Sequence, residues 1–310
     1  MPLVSFCIST FQRPQILSNQ LKSLLSQTYP DFEIVVSDND PAQSAKDICY
    51  SLNDYRLKYY ANEDNIGMIK SFNKSIERAN TPYVIMITDD DSLDKDFLRE
   101  MIPLIMKYPQ SSLYCGFKLK NKNDDFTEIL DKKQFPYFVL HPKINPTIFW
   151  SNCILKKDDV ANIGLIPDYG SPHLADHALL CSVGSINGGV IKNKIYSFHN
   201  LHETNYSKGN FDSYYLGCIG FYNFLSNFFS KTDIENKMQK VISLHLKQWF
   251  ISMSFSLRRH FYKLGDGKKI EEIDAYSQKI LRIKFMKKYS LIYQTKKIIF
   301  YIKATLGLIN

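Results

Sequence analysis

The strongest chemical signal in the chain is the run Thr88-Asp89-Asp90-Asp91, which follows an apolar segment. Three successive carboxylates repel one another unless a cation lies between them. Mg²⁺ or Mn²⁺ is the natural cation, because hard divalent ions bind carboxylate oxygens together with the oxygens of substrate phosphates. The pattern predicts a divalent-metal site that would neutralise a leaving diphosphate. The alternative is a solvated acidic turn before a helix that begins near Asp94.

Two further acidic groups could take part in chemistry. Asp38-Asn39-Asp40 follows another apolar segment; acids after a parallel strand often bind ribose hydroxyls, although such residues also favour plain turns. Asp176, next to His177, opens an otherwise apolar helical segment. Its carboxylate is a candidate general base. The alternative is an acid in a first turn that the helix dipole stabilises.

Two histidines, His199 and His202, lie in a polar loop and are candidate metal ligands, with simple exposure to solvent as the alternative. Other kinds of site are excluded by missing motifs. The chain has no GxxxxGK(S/T) loop, no HExxH and no GxGxxG after the first strand, which argues against a P-loop ATPase and a dinucleotide-binding dehydrogenase. The six cysteines form no CxxC unit and mostly lie in apolar runs, so we expect buried reduced thiols.

Alternating strand and helix signals must position these groups. Apolar runs with crossover helices between them predict an α/β fold with a mostly parallel sheet flanked by helices. Ligands of such sheets bind beyond the carboxyl ends of the strands, which is where the two aspartate runs lie. The predicted strands lie at 3–9, 33–37, 57–61, 83–88, 112–120, 147–155 and 188–198, and the predicted helices at 14–25, 42–53, 66–80 and 173–184.

Basic charge is concentrated in the C-terminal third of the chain. Residues 201–310 hold 18 Lys/Arg against 8 Asp/Glu, whereas the first 200 residues hold 21 against 23. Residues 213–306 read as helices in which lysines alternate with apolar and aromatic residues. We expect them either to contact an anionic membrane surface or to pack on the rest of the chain or on a second subunit. No stretch reads as a transmembrane helix, a signal peptide or a nucleic-acid module.

The order and spacing of six segments resemble glycosyltransferase family 2, whose members have the GT-A fold. The resemblance covers about residues 2–207. The matching segments are VSFCISTFQRP, LKSLLSQTYPDFEIVVSDND, Asn65-Ile66-Gly67 followed by Asn73, YVIMITDDDSLDKDFL, LADHALLCSVG and HNLHETNYS.

The resemblance implies a role for each matching residue. Asp176 would be the base that deprotonates the acceptor hydroxyl. Asp91 would ligate Mn²⁺ or Mg²⁺ on the diphosphate, and His202 would lie near that metal. Phe11 would pack on the nucleotide base with Arg13 beside it. The residues expected to bind the donor are Thr10, Phe11, Arg13, Asp38, Asn65, Gly67, Asp89 and Asp90.

The implied reaction is an inverting transfer of sugar from a nucleotide-diphosphate sugar, with a UDP-sugar favoured. The acceptor would be a hydroxyl of a glycan or lipid-linked glycan in bacterial surface polysaccharide synthesis. We expect a catalytic domain at 1–207, a basic helical region at 208–310, and a cytoplasmic enzyme that contacts the inner face of the membrane; oligomerisation stays open.

Two other functions remain as alternatives. A nucleotidyltransferase would share a similar sheet, but the loop ISTFQRP lacks the glycines usual in those enzymes. A catalytically silent GT-A scaffold in a polysaccharide assembly complex would not need both Asp91 and Asp176, and the chain has both.

Overall fold

The computed structural model describes residues 2–119, 121–144, 149–199 and 211–308. The predicted metal ligand His202 and the side chain of His199 lie outside the described residues. The chain divides into two compact units, which are described separately. The first consists of Met1–Asp168 and Leu174–Leu201, and the second consists of Tyr169–His173 and His202–Asn310.

The first unit alternates strands and helices, as its sequence predicts. Its strands are β1 Val4–Thr10, β2 Phe32–Asp38, β3 Leu57–Ala61, β4 Tyr83–Met86, β5 Asp91–Leu93, β6 Leu113–Gly116, β7 Thr127–Leu130, β8 Cys153–Lys156, β9 Gly189–Lys192 and β10 Ser197–His199. Its helices are α1 Pro14–Leu25, α2 Lys46–Ser51, α3 Met68–Arg78, α4 Phe97–Lys107, α5 Gln134–Leu140, α6 Lys157–Asn162 and α7 Ala175–Asn187, with a short 3₁₀ turn at Trp150–Asn152.

Eight strands form one mixed sheet in the order β3-β2-β1-β4-β8-β6-β9-β7. The four strands predicted first, β1 to β4, pair in parallel, and β6 pairs in parallel with β9. Strand β8 runs antiparallel to β4 and β6, and β7 runs antiparallel to β9. The predicted α/β architecture, a largely parallel sheet flanked by helices, is confirmed. A separate antiparallel pair joins β10 to β5.

Burial explains why these segments form these elements. Strand β2 is buried along its whole length and β1 along nearly all of it, as expected for strands covered on both faces. Helix α1 begins at Pro14, whose missing N–H costs nothing in a first turn. It buries Leu17, Leu21 and Leu24 against the sheet at helical spacing. All six cysteines are buried and unpaired, as predicted.

The structure differs from the sequence prediction after residue 90. The predicted strand 147–155 includes the 3₁₀ turn Trp150–Asn152, and its strand β8 begins only at Cys153. The predicted strand 188–198 is two strands, because the chain bends between them at the buried Asn193. The amide of Asn193 donates to the carbonyls of Lys122 and Asn123 at 2.9 and 2.6 Å, and its oxygen accepts the backbone N–H of Leu119. These bonds hold the bend and direct the chain towards β5 as strand β10. Strands β5 and β7 and helices α5 and α6 were not predicted.

The second unit is helical, as the sequence predicts. Its helices are α8 Phe211–Phe228, α9 Glu235–Lys263, α10 Gly267–Leu281 and α11 Ser290–Thr305. Asp266 caps α10 by accepting a 3.0 Å hydrogen bond from the backbone N–H of Lys269. Within the described part of the chain, each helix is too short or too polar to span a bilayer.

Candidate active site

The acids at the carboxyl end of β4 lie against the residues that follow β1. Because β1 and β4 are parallel neighbours, their ends meet at one edge of the sheet. Arg13 Nε donates to Asp89 Oδ2 at 3.2 Å, and its guanidinium also bonds Asp89 Oδ1 and Asp90 Oδ2, the latter at 2.9 Å. Thr10 Oγ1 donates to Asp89 Oδ2 at 2.9 Å. The structure thus brings four predicted donor-binding residues into direct contact.

Arg13 changes the electrostatic argument made from the sequence. The guanidinium lies between the first two acids, so the chain itself relieves their mutual repulsion. Burial raises the pKa of Asp89, and the charge and hydrogen bonds of Arg13 act against that rise. Asp89 is therefore an anchor for Arg13, and repulsion among the acids gives no reason of its own for a metal.

Asp91, the third acid, is held by different partners. It begins β5, is almost fully buried, and its Oδ2 accepts a 3.1 Å hydrogen bond from Ser151 Oγ. Ser151 Oγ in turn lies 2.8 Å from Ser197 Oγ on β10. Strand β10 pairs with β5 so that His199 is the backbone partner of Asp91. Sequence reasoning missed both serines, because nothing near them in the chain marks them as partners of an acid.

The 3₁₀ turn Trp150–Asn152 connects the parts of this site. It contacts β4, β5 and helix α7. Asn152 Oδ1 accepts hydrogen bonds from the backbone N–H groups of Tyr196 and Ser197, at 2.8 and 2.7 Å, and so fixes the start of β10. Trp150 is buried and packs on Phe72 with ring centroids 4.8 Å apart, which makes it a core residue. One short turn therefore contacts both the strand of Asp91 and the helix of Asp176.

Asp176 lies in the first turn of α7, and about a quarter of its side chain is exposed. Its Oδ2 is 3.7 Å from Nε2 of His177. Burial lowers the pKa of His177 to about 4, so this imidazole is neutral at pH 7 and the two side chains do not form an ion pair. A partly exposed carboxylate at a helix start, in the unit that also carries Asp91, has the chemistry of a general base.

Asp38, at the carboxyl end of β2, is fully buried. Its Oδ1 accepts from the backbone N–H of Asp40 at 3.1 Å. Its Oδ2 accepts from the backbone N–H of Ala45 at 3.0 Å and from Tyr59 Oη at 2.9 Å. These bonds fix the loop after β2, and because the side chain is fully buried, a nucleotide could contact Asp38 only if this loop moved.

The loops after β2 and β3 are hydrogen-bonded together through Asn39. Asn39 Nδ2 donates to Asn65 Oδ1 at 2.7 Å, and Asn39 Oδ1 accepts from the backbone N–H of Ile66 at 3.1 Å. Gly67, which precedes α3, has φ +85°, a conformation that glycine adopts without strain. The backbone N–H of Asn39 also donates to the carbonyl of Thr10 at 2.8 Å. Asn65 and Gly67 are thereby linked to the loop after β1.

Phe11 remains at the surface of this edge, with 40% of its area exposed. An exposed aromatic ring beside Thr10 and Arg13 can stack on a planar base without rearranging the core.

A divalent metal fits these residues only if the protein and the bound diphosphate both supply its ligands. Among the residues that the structure describes, no three His, Cys, Asp or Glu side chains cluster so that they could hold a metal. Asp91 offers a hard carboxylate oxygen as a metal ligand, and it follows Asp89 and Asp90, the partners of Arg13, in the chain. Mg²⁺ and similar ions commonly take one or two carboxylates from the protein and the remaining ligands from substrate phosphates and water. The donor set therefore suits an ion carried with a diphosphate.

A family model places the chain among known proteins. The model for glycosyl transferase family 2 matches residues 5–162, which is half of the chain. Residues 5–162 contain all but the first residue of β1, strands β2 to β4, Arg13 with its partners Asp89 and Asp90, Asp91 and the Trp150–Asn152 turn.

Individual relatives agree with the family match. A putative teichuronic acid biosynthesis glycosyltransferase of Bacillus subtilis, TuaG, is 28% identical over 120 residues, covering 38% of this chain and 48% of the relative. A GalNAc(5)-diNAcBac-PP-undecaprenol beta-1,3-glucosyltransferase of Campylobacter jejuni is 32% identical over 96 residues, covering 30% and 31%. The chain thus spans about half of these relatives' length or less.

Solved structures show the same fold at low identity. Residues 1–349 of S. aureus TarS in complex with UDP-GlcNAc superpose with a TM-score of 0.53 at 16% identity, covering 93% of this chain and 91% of that one. The mannosyltransferase PcManGT of Pyrobaculum calidifontis, in complex with GDP-Man and Mn²⁺, gives 0.58 at 12% identity, covering 94% and 84%. These likenesses confirm the predicted GT-A fold. With half of its length matched by the family model, the chain belongs to glycosyltransferase family 2.

Proposed function

We propose that this enzyme transfers a sugar from a nucleotide-diphosphate sugar, with UDP-sugars favoured, to a hydroxyl of a glycan or lipid-linked glycan acceptor, with inversion at the anomeric carbon. The observation that carries the proposal is the contact of Arg13 with Asp89 and Asp90 at the carboxyl ends of β1 and β4, with Asp91 next in the chain. The names of relatives support the substrate classes: one acts on a PP-undecaprenol glycan, and TarS was solved with UDP-GlcNAc. We place the reaction in bacterial surface polysaccharide synthesis.

The donor would bind across the ends of β1, β2 and β4. Phe11 would stack on the nucleotide base, and Arg13, held by Asp89, would lie beside it. Asp90 would accept a hydrogen bond from the ribose. The remaining proposed donor contacts come from the linked loops after β1, β2 and β3, namely Thr10, Asp38, Asn65 and Gly67.

Asp91 would hold a divalent metal, Mn²⁺ or Mg²⁺, together with His202. When bound, such an ion would neutralise charge on the departing nucleoside diphosphate. The hydrogen bond from Ser151 holds the carboxylate of Asp91 in one orientation. The carboxylate is therefore already ordered when the nucleotide sugar binds.

Asp176 would act as the base in a single displacement. One of its carboxylate oxygens takes the proton of the acceptor hydroxyl as that oxygen bonds to the anomeric carbon. The bond from the anomeric carbon to the diphosphate oxygen breaks on the opposite face, which inverts the configuration. The proton ends on Asp176 and the negative charge leaves with the nucleoside diphosphate.

The two parts of the chain would have different tasks. We propose that residues 1–207 form the catalytic domain, whereas residues 208–310 form a basic helical region that contacts the membrane peripherally. The enzyme would then act at the cytoplasmic face, where a lipid-linked acceptor is within reach. The support for this contact is the excess of basic residues after residue 200, 18 against 8 acids.

The assignment of the base is tested by Asp176→Asn with Asp158→Asn as the matched control. Both residues are first-turn acids of helices, so both substitutions remove a favourable interaction with a helix dipole. We expect Asp176→Asn to bind UDP-sugar and Mn²⁺ normally and to lose transfer by about 10²- to 10⁴-fold, while Asp158→Asn keeps it. Normal transfer by Asp176→Asn would remove the assigned base. Release of pyrophosphate instead of UDP would identify a nucleotidyltransferase.

A further inference from the structure

Helix α11 carries an apolar stripe on the side that faces away from the helices it packs against. The side of α11 that packs on the other helices of the second unit carries Tyr293, Lys297 and Phe300, so it includes a charged group and a hydroxyl. The opposite side carries apolar residues four or seven positions apart along one stripe, which ends at the C-cap residue, and all are exposed: Leu291, Ile298, Ile302 and Leu306, at 79%, 62%, 54% and 64%. A helix side that faced only water would carry polar residues instead.

A buried polar cluster fixes which side of α11 faces outward. Arg258 of α9 is fully buried and donates to Tyr293 Oη at 2.8 Å and to Tyr301 Oη at 3.2 Å. It also donates to Asp274 of α10 at 2.6 Å, and Lys297 Nζ lies 2.8 Å from that carboxylate. Three residues of α11 are therefore held by one arginine–aspartate pair. Turning the helix to bury its apolar stripe would leave Arg258 and Asp274 without these partners, which is costly for buried charges.

The charge around the stripe has a single sign. After Asp274 the chain contains eight Lys/Arg residues and no Asp or Glu. Lys287 and Lys288 are exposed in the 3₁₀ turn just before α11, and Lys296 and Lys303 are exposed along the helix itself. An apolar stripe bordered by lysines matches the boundary of an anionic bilayer, where apolar side chains enter the acyl region and ammonium groups reach the phosphates.

We propose that α11 lies in the surface of a bilayer that contains anionic phospholipid, with the Leu291–Leu306 stripe inserted and its lysines at the headgroups. The inference deepens the peripheral contact of the proposed function, and it rests on that contact alone. The occupant is a lipid surface, because a protein partner or second copy would have to complement an apolar stripe in a segment whose charged residues are all basic.

Vesicle flotation tests this proposal with the full-length chain. The probes are vesicles of phosphatidylcholine mixed with phosphatidylglycerol and vesicles of phosphatidylcholine alone. The main variant is Ile298→Gln/Ile302→Gln. The control is Met106→Gln, which removes an apolar side chain of 70% exposure from α4 in the first unit. Because all three side chains are exposed, thermal melting should match that of the natural protein.

We expect the natural protein and Met106→Gln to float with the anionic vesicles, and the double variant to lose at least about tenfold in partitioning even at low salt. Lys287→Gln/Lys288→Gln should lose about tenfold at low salt, with less salt dependence than the natural protein. Equal flotation of the natural protein and the double variant would overturn the role of α11 while leaving a membrane contact elsewhere. If none of the proteins floats with either kind of vesicle, both the membrane contact and this proposal are wrong. That result would not affect the proposal of sugar transfer.

A second copy of the chain is the competing occupant. If the natural protein is a dimer without vesicles in analytical ultracentrifugation and Ile298→Gln/Ile302→Gln is a monomer, the stripe is a subunit interface and the proposal is wrong. A concentration-independent monomer in both cases supports the lipid assignment.

Discussion

Two groups of aspartates lie on either side of β1, at the ends of β2 and β4, and the chain treats them differently. Asp38 at the end of β2 is fully buried and accepts hydrogen bonds from two backbone N–H groups and from Tyr59. The acids at the end of β4 are held by side chains from distant segments, Arg13 and Ser151. Both runs read alike in the sequence, as acids after an apolar strand.

The difference lies in what donates to each carboxylate. Backbone N–H groups of a tight turn are fixed by the fold, so Asp38 stabilises the loop that surrounds it. A guanidinium and a hydroxyl can shift to share a carboxylate with a ligand, so the acids after β4 would be able to hold a loop and also ligate a metal that carries a diphosphate. We therefore expect substitutions after β2 to lower stability and substitutions after β4 to lower activity.

The largest expected effect concerns Asp91. Asp91→Asn should lower kcat/KM for sugar transfer on the order of 1,000-fold, about 4 kcal/mol of barrier, because the diphosphate would leave without its metal partner. Steady-state transfer with saturating Mn²⁺ measures this loss. Asp125→Asn is the control, since its side chain is 97% exposed. Transfer by Asp91→Asn within a few-fold of the natural enzyme would remove the distinction between the two groups.

The next effect concerns Asp38. Asp38→Asn turns an acceptor into a donor that faces a backbone N–H, and it should lower the free energy of unfolding by about 3 kcal/mol. Urea unfolding measures the change, and Asp47→Asn on the exposed face of α2 should stay close to the natural protein. If Asp38→Asn is as stable as the natural protein yet fails to bind UDP, the residue is a donor ligand above all, and our comparison is wrong.

Acid should loosen the two sides of the site unequally. His177 on α7 has its pKa lowered to about 4 by burial, so below about pH 6.5 the unfolded chain binds a proton that the folded chain does not. Stability is therefore lost as the pH falls, by about 2 kcal/mol at pH 5. The segment 38–67 contains no histidine.

Hydrogen exchange, corrected for intrinsic rates, should show α7 losing protection at pH 5 before residues 38–67 do. His177→Gln should reduce that loss, and the remainder should come from His173, whose pKa burial also lowers to about 4. An equal loss of protection in α7 and in residues 38–67, or in the natural protein and His177→Gln, would contradict the assignment of this acid sensitivity to His177.

The smallest effect concerns Ser151, which acts on Asp91 without touching substrate. Ser151→Ala should weaken the apparent affinity for Mn²⁺ about tenfold, because a ligating carboxylate loses a hydrogen bond that orients it. Excess Mn²⁺ should restore most of the transfer rate, which a general loss of folding would not allow. Ser185→Ala is a matched control, since its hydroxyl bonds only within α7. A loss of rate that Mn²⁺ does not rescue would contradict the positioning role.

The sequence predicted the parts of the fold that depend on local patterns. Strands β1 to β4 and helices α1 to α3 follow from apolar periodicity and from punctuation such as Pro14, and they lie within a few residues of prediction. The resemblance to the family, rather than any local pattern, identified the candidate site residues as members of one site. The structure places Thr10, Arg13, Asp89 and Asp90 in contact.

What could not be predicted depends on contacts between distant segments. Ser151 and Asp91 are 60 positions apart, and Arg13 and Asp89 are 76 apart. No periodicity marks such pairs, so the sequence suggested a metal as the cation among the acids where the structure shows Arg13. Strand β10 was missed as a separate element because the bend at Asn193 depends on carbonyls about 70 positions earlier.

Calorimetric titration of UDP into the protein, with Mn²⁺ and then with EDTA, tests the central claim that the acids after β4 hold a nucleotide diphosphate through a metal. We predict binding in Mn²⁺ that EDTA abolishes and that Asp91→Asn lacks, with the melting temperature of that variant unchanged. Equal binding of UDP in EDTA, or undiminished Mn²⁺-dependent binding by Asp91→Asn, would contradict the claim.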